Sequence, residues 1–274
     1  TEPGPQPYYL QSAYETPGQG PPDLAETGVY GPASLNYIDV ALAPDTRPEV
    51  VDRRIRQLAS LQPYFLRVLL QSVEEDALAL AESEQRKLIL ETGAPVVWTY
   101  VALEEGILGA LPGTGVYPVN YDPRTRPWYD NARGHRLPHW GSVYLDESGM
   151  GLLLDCGTGL FDTSGRFLGI AALDITVGYL VDSLLDPTGL PAKAEAYLVD
   201  QDGKIVVQSS LKEAEKTGKD YHAGPLPFPQ VLAAIGSGSS SGHLAIADKL
   251  MVWTRLDAVP WTYLVVGRAD ELVP

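Results

Sequence analysis

The feature that most limits the fold of this chain is a design used three times: an apolar run, an acidic turn with glycine, and a second apolar run. It occurs as VVWTYVALEEGILGAL, turning at Glu104 to Gly106, as LLLDCGTGLFDTSGRFLGIAALDI, turning at Asp162 to Gly165, and as AYLVDQDGKIVVQS, turning at Asp200 to Gly203. Runs rich in β-branched and aromatic residues on either side of a short turn predict β-hairpins. A last pair of strands is expected at HLAIADKLMVWTRL and WTYLVVGRA. Each hairpin alone says only that the chain forms antiparallel sheet; their order says more. Residues from about 94 to 176 run hairpin, connecting segment, hairpin, and residues from about 193 to 268 repeat that order after a helical link at Val177 to Leu185. The expected fold class is therefore α+β: one long N-terminal helix followed by two tandem modules, each an antiparallel sheet flanked by helices.

Residues 1–45 are rich in Pro, Gly and Tyr without sustained periodicity, which predicts a loop-like arm with a short strand at Tyr37 to Leu42. The region 46–92 opens on a helix-start signal, Thr46 followed by Glu49 as a capping box, with Pro48 in the first turn. Val51, Ile55, Leu58, Phe65 and Leu69 follow at helical spacing, so an amphipathic helix is expected to about Lys87, with an interruption at Pro63. In the second module the expected connection is Lys212 to Gly218, a short helix near Val231 to Ile235, and a flexible GSGSSSG linker at Gly236 to Gly242.

Composition narrows the function. A chain of 274 residues that is 45% hydrophobic can bury a sizeable core. A net charge of −15, with 20 Lys and Arg that form no basic run, leaves no electrostatic footprint for nucleic acid. The single cysteine, Cys156, lies among apolar residues and is expected to be a buried, inert thiol, with no internal disulfide. No apolar run approaches the roughly 20 residues needed to span a bilayer. The chain begins at Thr1, and an excised piece of a longer protein is the expectation.

The richest local chemistry is in YDPRTRPWYDNA, residues 121 to 132. Thr125 is the expected N-cap of a short helix and Pro127 is pre-set for its first turn, so unpaired backbone N–H groups would point outward beside the permanent charge of Arg126. That arrangement suits a carboxylate. Taken singly, Trp128 and Tyr129 read equally well as core aromatics and Arg126 as a surface ion-pair partner.

The module order, with YDPRTRPWYDNA in the first module, resembles the double Cache sensor domains of bacterial chemoreceptors and sensor kinases. The resemblance runs from about Thr46 to Arg268 and is carried by YVALEEGILGALPG, YDPRTRPWYDNA, WGSVYLD, GRFLGIAALDIT and YLVDQDGKIV. Its amino-acid-binding branch is marked by a Tyr, an Arg-x-Trp-Tyr, a later Tyr and an Asp ending the last strand of the first module. The matching positions are Tyr121, Arg126, Trp128, Tyr129, Tyr144 and Asp174. The resemblance implies that the Arg and the aromatic N–H side hold a ligand carboxylate, and that the Asp and the tyrosines hold its ammonium. Asp146, two residues beyond Tyr144 and on the same face of a strand, joins the candidate set. Two residues keep a second reading: Asp174 as the cap of the helix that follows, and Tyr144 as half-buried strand packing.

Further implications follow from the same resemblance. The modules would be PAS-like (Cache) units, a membrane-distal one at 93–186 that binds the ligand and a membrane-proximal one at 187–274. The domain would face the periplasm as part of an inner-membrane signal transducer anchored by flanking segments, without cofactor, and a homodimer is compatible with it. The first 45 residues depart from the family pattern, and the arm is expected to cover the sheet or to contact a partner. Other readings are a sensor of a different small ligand, such as acetate or another carboxylate, an amine or a purine, and an enzyme. For the enzyme the sequence offers little: His135 and His139 flank Pro138 without a carboxylate or Cys at ligand spacing, no nucleophile elbow or phosphate loop occurs, and carboxylates such as Asp122 and Asp130 are too common to mark glycoside hydrolysis.

Overall fold

The computed structural model describes residues 8–185, 191, 193–211, 224–257 and 259–272, which form two units. The first holds the described residues through Thr176 except Ser142–Leu145 and Gly151–Leu153; the second holds those two pieces and the described residues from Val177 on.

In the first unit, β1 (Tyr8–Leu10) and α1 (Gln11–Tyr14) precede a two-stranded ribbon of β2 (Ala25–Thr27) and β3 (Gly31–Ala33), then β4 (Ile38–Leu42). The helices α2 (Pro48–Ala59), α3 (Gln62–Val73) and α4 (Glu82–Lys87) come next, with a 3-10 turn at Glu75–Ala79 and a π turn at Leu88–Thr92. The hairpin of β5 (Val96–Leu103) and β6 (Ile107–Leu111) follows, then a 3-10 turn at Pro123–Thr125, α5 (Pro127–Arg133), and the strands β7 (His139–Trp140), β8 (Tyr144–Leu145), β9 (Leu152–Phe161) and β10 (Phe167–Thr176), of which β8 and the first two residues of β9 belong to the second unit. The sheet order is β1-β4-β6-β5-β10-β9-β7, with β8 pairing with β9. All eight residues of β5 are buried, as expected of a central strand covered on both faces. On one face Gly109 of β6 admits Leu58 of α2, whose Cβ would lie 3.2 Å from an added glycine Cβ; on the other, Tyr100 of β5 packs edge-on against Trp128 of α5. The N-terminal helices and α5 therefore cover opposite faces of the sheet.

The second unit contains α6 (Val177–Leu184), β11 (Glu195–Val199), β12 (Ile205–Gln208), α7 (Pro229–Gly236), β13 (Ser241–Ile246), β14 (Lys249–Arg255), β15 (Thr262–Arg268) and α8 (Ala269–Leu272). Its sheet order is β12-β11-β15-β14-β13. Number the strands of each unit from its first hairpin and this is the path β6-β5-β10-β9-β7 over again: second, first, last, then back towards the middle. Tyr197, Val199, Leu226, Val231, Met251, Trp253 and Leu264 form its core beneath α7.

All three hairpins form at their expected turns, and Gly106, Gly165 and Gly203 have φ of 80°, 84° and 79°, values that L side chains rarely adopt. The short strand in the arm and the helix near Val231 are also present. Other expectations are corrected. The region 46–92 is broken at Ser60–Leu61, just before Pro63, and again after Val73, so it is a series of short helices rather than one long one. Thr46 forms no capping box: Arg47 is the N-cap of α2, and the Thr46 hydroxyl donates instead to the carbonyl of Gly106 at 3.1 Å. HLAIADKLMVWTRL is not one strand but the hairpin β13–β14, turning at Ala247, whose φ is 56°. The end of GSGSSSG is strand: Ser241 opens β13, and Gly242 lies so close under Trp253 that a Cβ there would come within 2.5 Å of the indole. The stretch Lys212 to Gly218 lies outside the described residues. Cys156 is half-buried, and burial pushes its thiol up to about 11, in keeping with an inert role.

Two buried carboxyls give the first unit a testable pH response. Asp39 on β4 and Asp155 on β9 are both pushed up to about 6, in each case mainly by burial. Each takes up its proton near pH 6 when folded and near the ordinary 3.8 when unfolded, so between those values the folded chain holds more protons. Their contribution to stability therefore rises as pH falls through that window, by about 1–3 kcal/mol apiece. Asp23 and Asp122, held below the usual range by hydrogen bonds to Ser34 and Arg124 respectively, act in the opposite sense only at lower pH. The unfolding temperature is expected to be higher at pH 5 than at pH 7.5, and Asp155→Asn, which still accepts from Asn131, should flatten the difference. Equal unfolding temperatures in the unsubstituted protein would contradict this account.

Candidate ligand-binding site

The YDPRTRPWYDNA stretch folds around its own side chains. Asp122 caps the 3-10 turn by accepting from the Arg124 backbone N–H at 2.9 Å, and Thr125 donates its hydroxyl back to the Asp122 carbonyl at 2.9 Å. Thr125 is thus not the helix cap expected from sequence. Arg126 is, in an extended conformation (φ −87°, ψ 146°), because proline at the next position disfavours helical geometry in the residue before it. The guanidinium of Arg126 consequently leaves the chain at the mouth of α5, where it forms an ion pair with Glu147. Trp128 and Tyr129 are both buried on the first turn of α5.

Asp174 lies within β10, opposite Trp98 of β5, and α6 does not begin until Val177, so the capping alternative is replaced by a buried strand carboxylate. The Tyr100 hydroxyl donates to its Oδ1 at 3.1 Å, and the Tyr100 ring meets Trp128 with centroids 4.8 Å apart. The ladder shifts register between Asp174 and Ile175.

Tyr121 is where the charges converge. Its phenol is pushed well up, chiefly by burial; Arg126 opposes the shift, and Glu147, Asp146 and Asp174 add to it. Asp146 accepts from the Met150 N–H at 3.0 Å, and burial raises its carboxyl above the usual range. The structure therefore brings Tyr121, Arg126, Asp146 and Asp174 into one electrostatic neighbourhood, with Trp128 joined to it through Tyr100. Tyr129 is held elsewhere: its hydroxyl donates to Glu104 at 2.7 Å and its ring packs edge-on against Phe167. Tyr144 is buried on β8, opposite Leu153 of β9. Two residues of the neighbourhood were not singled out from sequence, Tyr100 and Glu147. Tyr100 shares a face with Trp98 two residues away, a weak signal in a strand buried throughout, and Glu147 stands in an ordinary-looking DESG turn.

His135 and His139 stack face to face at 3.9 Å, and among the described residues no group of three or more His, Cys, Asp or Glu could hold a metal ion.

No family model matches the chain. Among curated proteins it is similar to the methyl-accepting chemotaxis protein PctB of Pseudomonas aeruginosa, 28% identical over 152 residues, or 56% of this chain and 23% of PctB. It is also similar to McpB of Bacillus subtilis, 26% identical over 188 residues, or 63% of this chain and 26% of McpB. The chain thus spans about a quarter of the length of these chemoreceptors. Among solved structures, the ligand-binding domain of PctB in complex with L-Gln superposes with a TM-score of 0.47 at 19% identity, covering 74% of this chain and 82% of that one. The repeated sheet order is the one that the resemblance to double Cache sensor domains implies, and the chain is similar in sequence to curated chemoreceptors. Its curated relatives are methyl-accepting chemotaxis proteins. Among the described residues no helix is long and apolar enough to cross a membrane.

Proposed function

We propose that the first unit binds a free α-amino acid, with Arg126 facing its carboxylate and Asp174, assisted by Tyr100, Tyr121 and Asp146, facing its ammonium. The observation that carries this reading is that one unit offers both signs: the Arg126 guanidinium, ion-paired with Glu147 at the mouth of α5, and the buried Asp174 carboxylate, which accepts from the Tyr100 hydroxyl. Burying either charge of a zwitterion without a partner is costly, so a site for it must offer both. One guanidinium against the carboxylates of Asp146, Glu147 and Asp174 favours a ligand that brings a cation as well as an anion over a simple acid such as acetate. Charge-assisted hydrogen bonds contribute roughly 1.5–3 kcal/mol each, so a few of them support micromolar affinity after the cost of association. Trp128 and Tyr100 supply an aromatic wall. Tyr129 completes the set by fixing α5 through Glu104.

In this reading residues 93–186 are the membrane-distal module, 187–274 the membrane-proximal one, and 46–92 the helical region that links ligand occupancy to a transmembrane transducer. The domain senses on the periplasmic side and has no catalytic role. Calorimetric titration with the common amino acids, acetate, lactate and simple amines tests it. Heat of binding is expected for one or more amino acids and not for the acids or amines; acids that bind as tightly as amino acids would show that the ammonium half is wrong, and turnover of a ligand would show an enzyme.

A further inference from the structure

We propose that the N-terminal arm positions the ligand site, with Asp39 as the positioning residue that fixes the segment carrying Tyr121; the inference rests on the amino-acid reading above. Residues 113–121, between β6 and the Pro123–Thr125 turn, contain no strand or helix, so their backbone groups need acceptors and donors from elsewhere. The arm supplies them. Asp39 is fully buried on β4, and its Oδ2 accepts from the Thr114 and Gly115 N–H groups at 2.9 and 2.7 Å, while Oδ1 accepts from the Tyr117 hydroxyl at 2.8 Å. Ser34 and Gly113 exchange two backbone hydrogen bonds of 2.8 Å, and Gln11 Nε2 donates to the Tyr117 carbonyl at 2.8 Å. Tyr14 packs so closely that a Cβ on Gly115 would lie 2.3 Å from its ring, at a φ of 66° that already favours glycine.

This clamp reaches the site in one further step. The Tyr117 ring lies against Tyr121, centroids 5.0 Å apart, and Tyr121 is the residue on which Arg126, Asp146 and Asp174 converge. A buried carboxylate is a poor choice for mere packing, because an apolar side chain fills such a place without the cost of dehydrating a charge. With three donors met in fixed directions it does what an apolar residue cannot: it specifies one path for an irregular backbone. The departure of the first 45 residues from the family pattern thereby acquires a role, since residues 8–42 add β4 and β1 to the sheet and brace the segment that leads to Tyr121.

The test combines amide hydrogen exchange over residues 113–121 in the ligand-free protein with affinity for the tightest binder among L-alanine, L-leucine and L-arginine. Asp39→Ala is expected to speed exchange over 113–121 and weaken binding about tenfold, the size of one lost charge-assisted interaction. In a Tyr121→Ala background the same substitution should cost about twofold or less, because the effect passes through Tyr121. Asp39→Asn, whose oxygen can accept both amides while its amide donates to the Tyr117 oxygen, should restore near-normal exchange and affinity. If Asp39→Ala does not fold, Tyr117→Phe, which removes one hydroxyl and keeps the ring, carries the same comparison. Unchanged exchange over 113–121, or an equal loss of affinity in both backgrounds, would overturn the inference. Absence of binding to every amino acid by the unsubstituted protein would instead count against the amino-acid reading, and exchange would still decide whether Asp39 holds the segment.

Discussion

Arg126→Ala is expected to weaken amino-acid binding at least about a hundredfold while leaving the unfolding temperature nearly unchanged. The loss is large because a bidentate guanidinium–carboxylate pair combines two charge-assisted bonds, roughly 1.5–3 kcal/mol each. It is compounded by what remains: Glu147 loses its partner, and Asp146, Glu147 and Asp174 would then face the ligand's carboxylate. The fold should tolerate the change because Arg126 is the extended cap residue of α5, not a member of its buried face, and makes no side-chain capping bond. Arg126→Lys should recover part of the affinity, since a point charge lacks the planar fork. Calorimetry beside thermal unfolding separates the two effects; a folded Arg126→Ala protein with unchanged affinity would remove Arg126 from the site.

Asp174→Asn should be nearly as damaging to binding, about thirtyfold or more, and more informative about which ligand charge is read. Asparagine has almost the same shape and can still accept from Tyr100, so the β5–β10 pairing and the Tyr100–Trp128 contact have no reason to change. Removing a buried negative charge also relieves a desolvation cost, so stability should hold or rise slightly. What is lost is the charge opposite the ammonium. The unsubstituted protein should prefer alanine strongly over propionate, which has the same carboxylate and no ammonium, and the variant should lose most of that preference. If the preference for alanine survives intact, the ammonium is held by another group, with Asp146 the first to examine.

The sequence determined by itself whatever depends on near neighbours along the chain. Apolar runs rich in β-branched and aromatic residues and glycines able to take positive φ are local properties, so the hairpins at Glu104–Gly106, Asp162–Gly165 and Asp200–Gly203 could be placed, and their repetition announced two sheets of one order. The spacing of Arg126 and Trp128 about Pro127 likewise placed a cation at the start of a helix before any contact was known.

The tertiary structure alone decided what depends on register and on competition between distant partners. Asp174 could cap a helix or face a pocket on the same local evidence; pairing with Trp98 and the hydroxyl of Tyr100, 74 residues away, make it a buried strand carboxylate. Thr46 could cap α2, but the Gly106 carbonyl, 60 residues on, takes its hydroxyl. The arm looked like a loop because its chemistry is completed by the Thr114 and Gly115 N–H groups and the Tyr117 hydroxyl, which Asp39 meets across 75 and more residues. A side chain with two possible partners chooses between them only when folding brings the distant one within about 3 Å, and no pattern of neighbours along the chain records that distance.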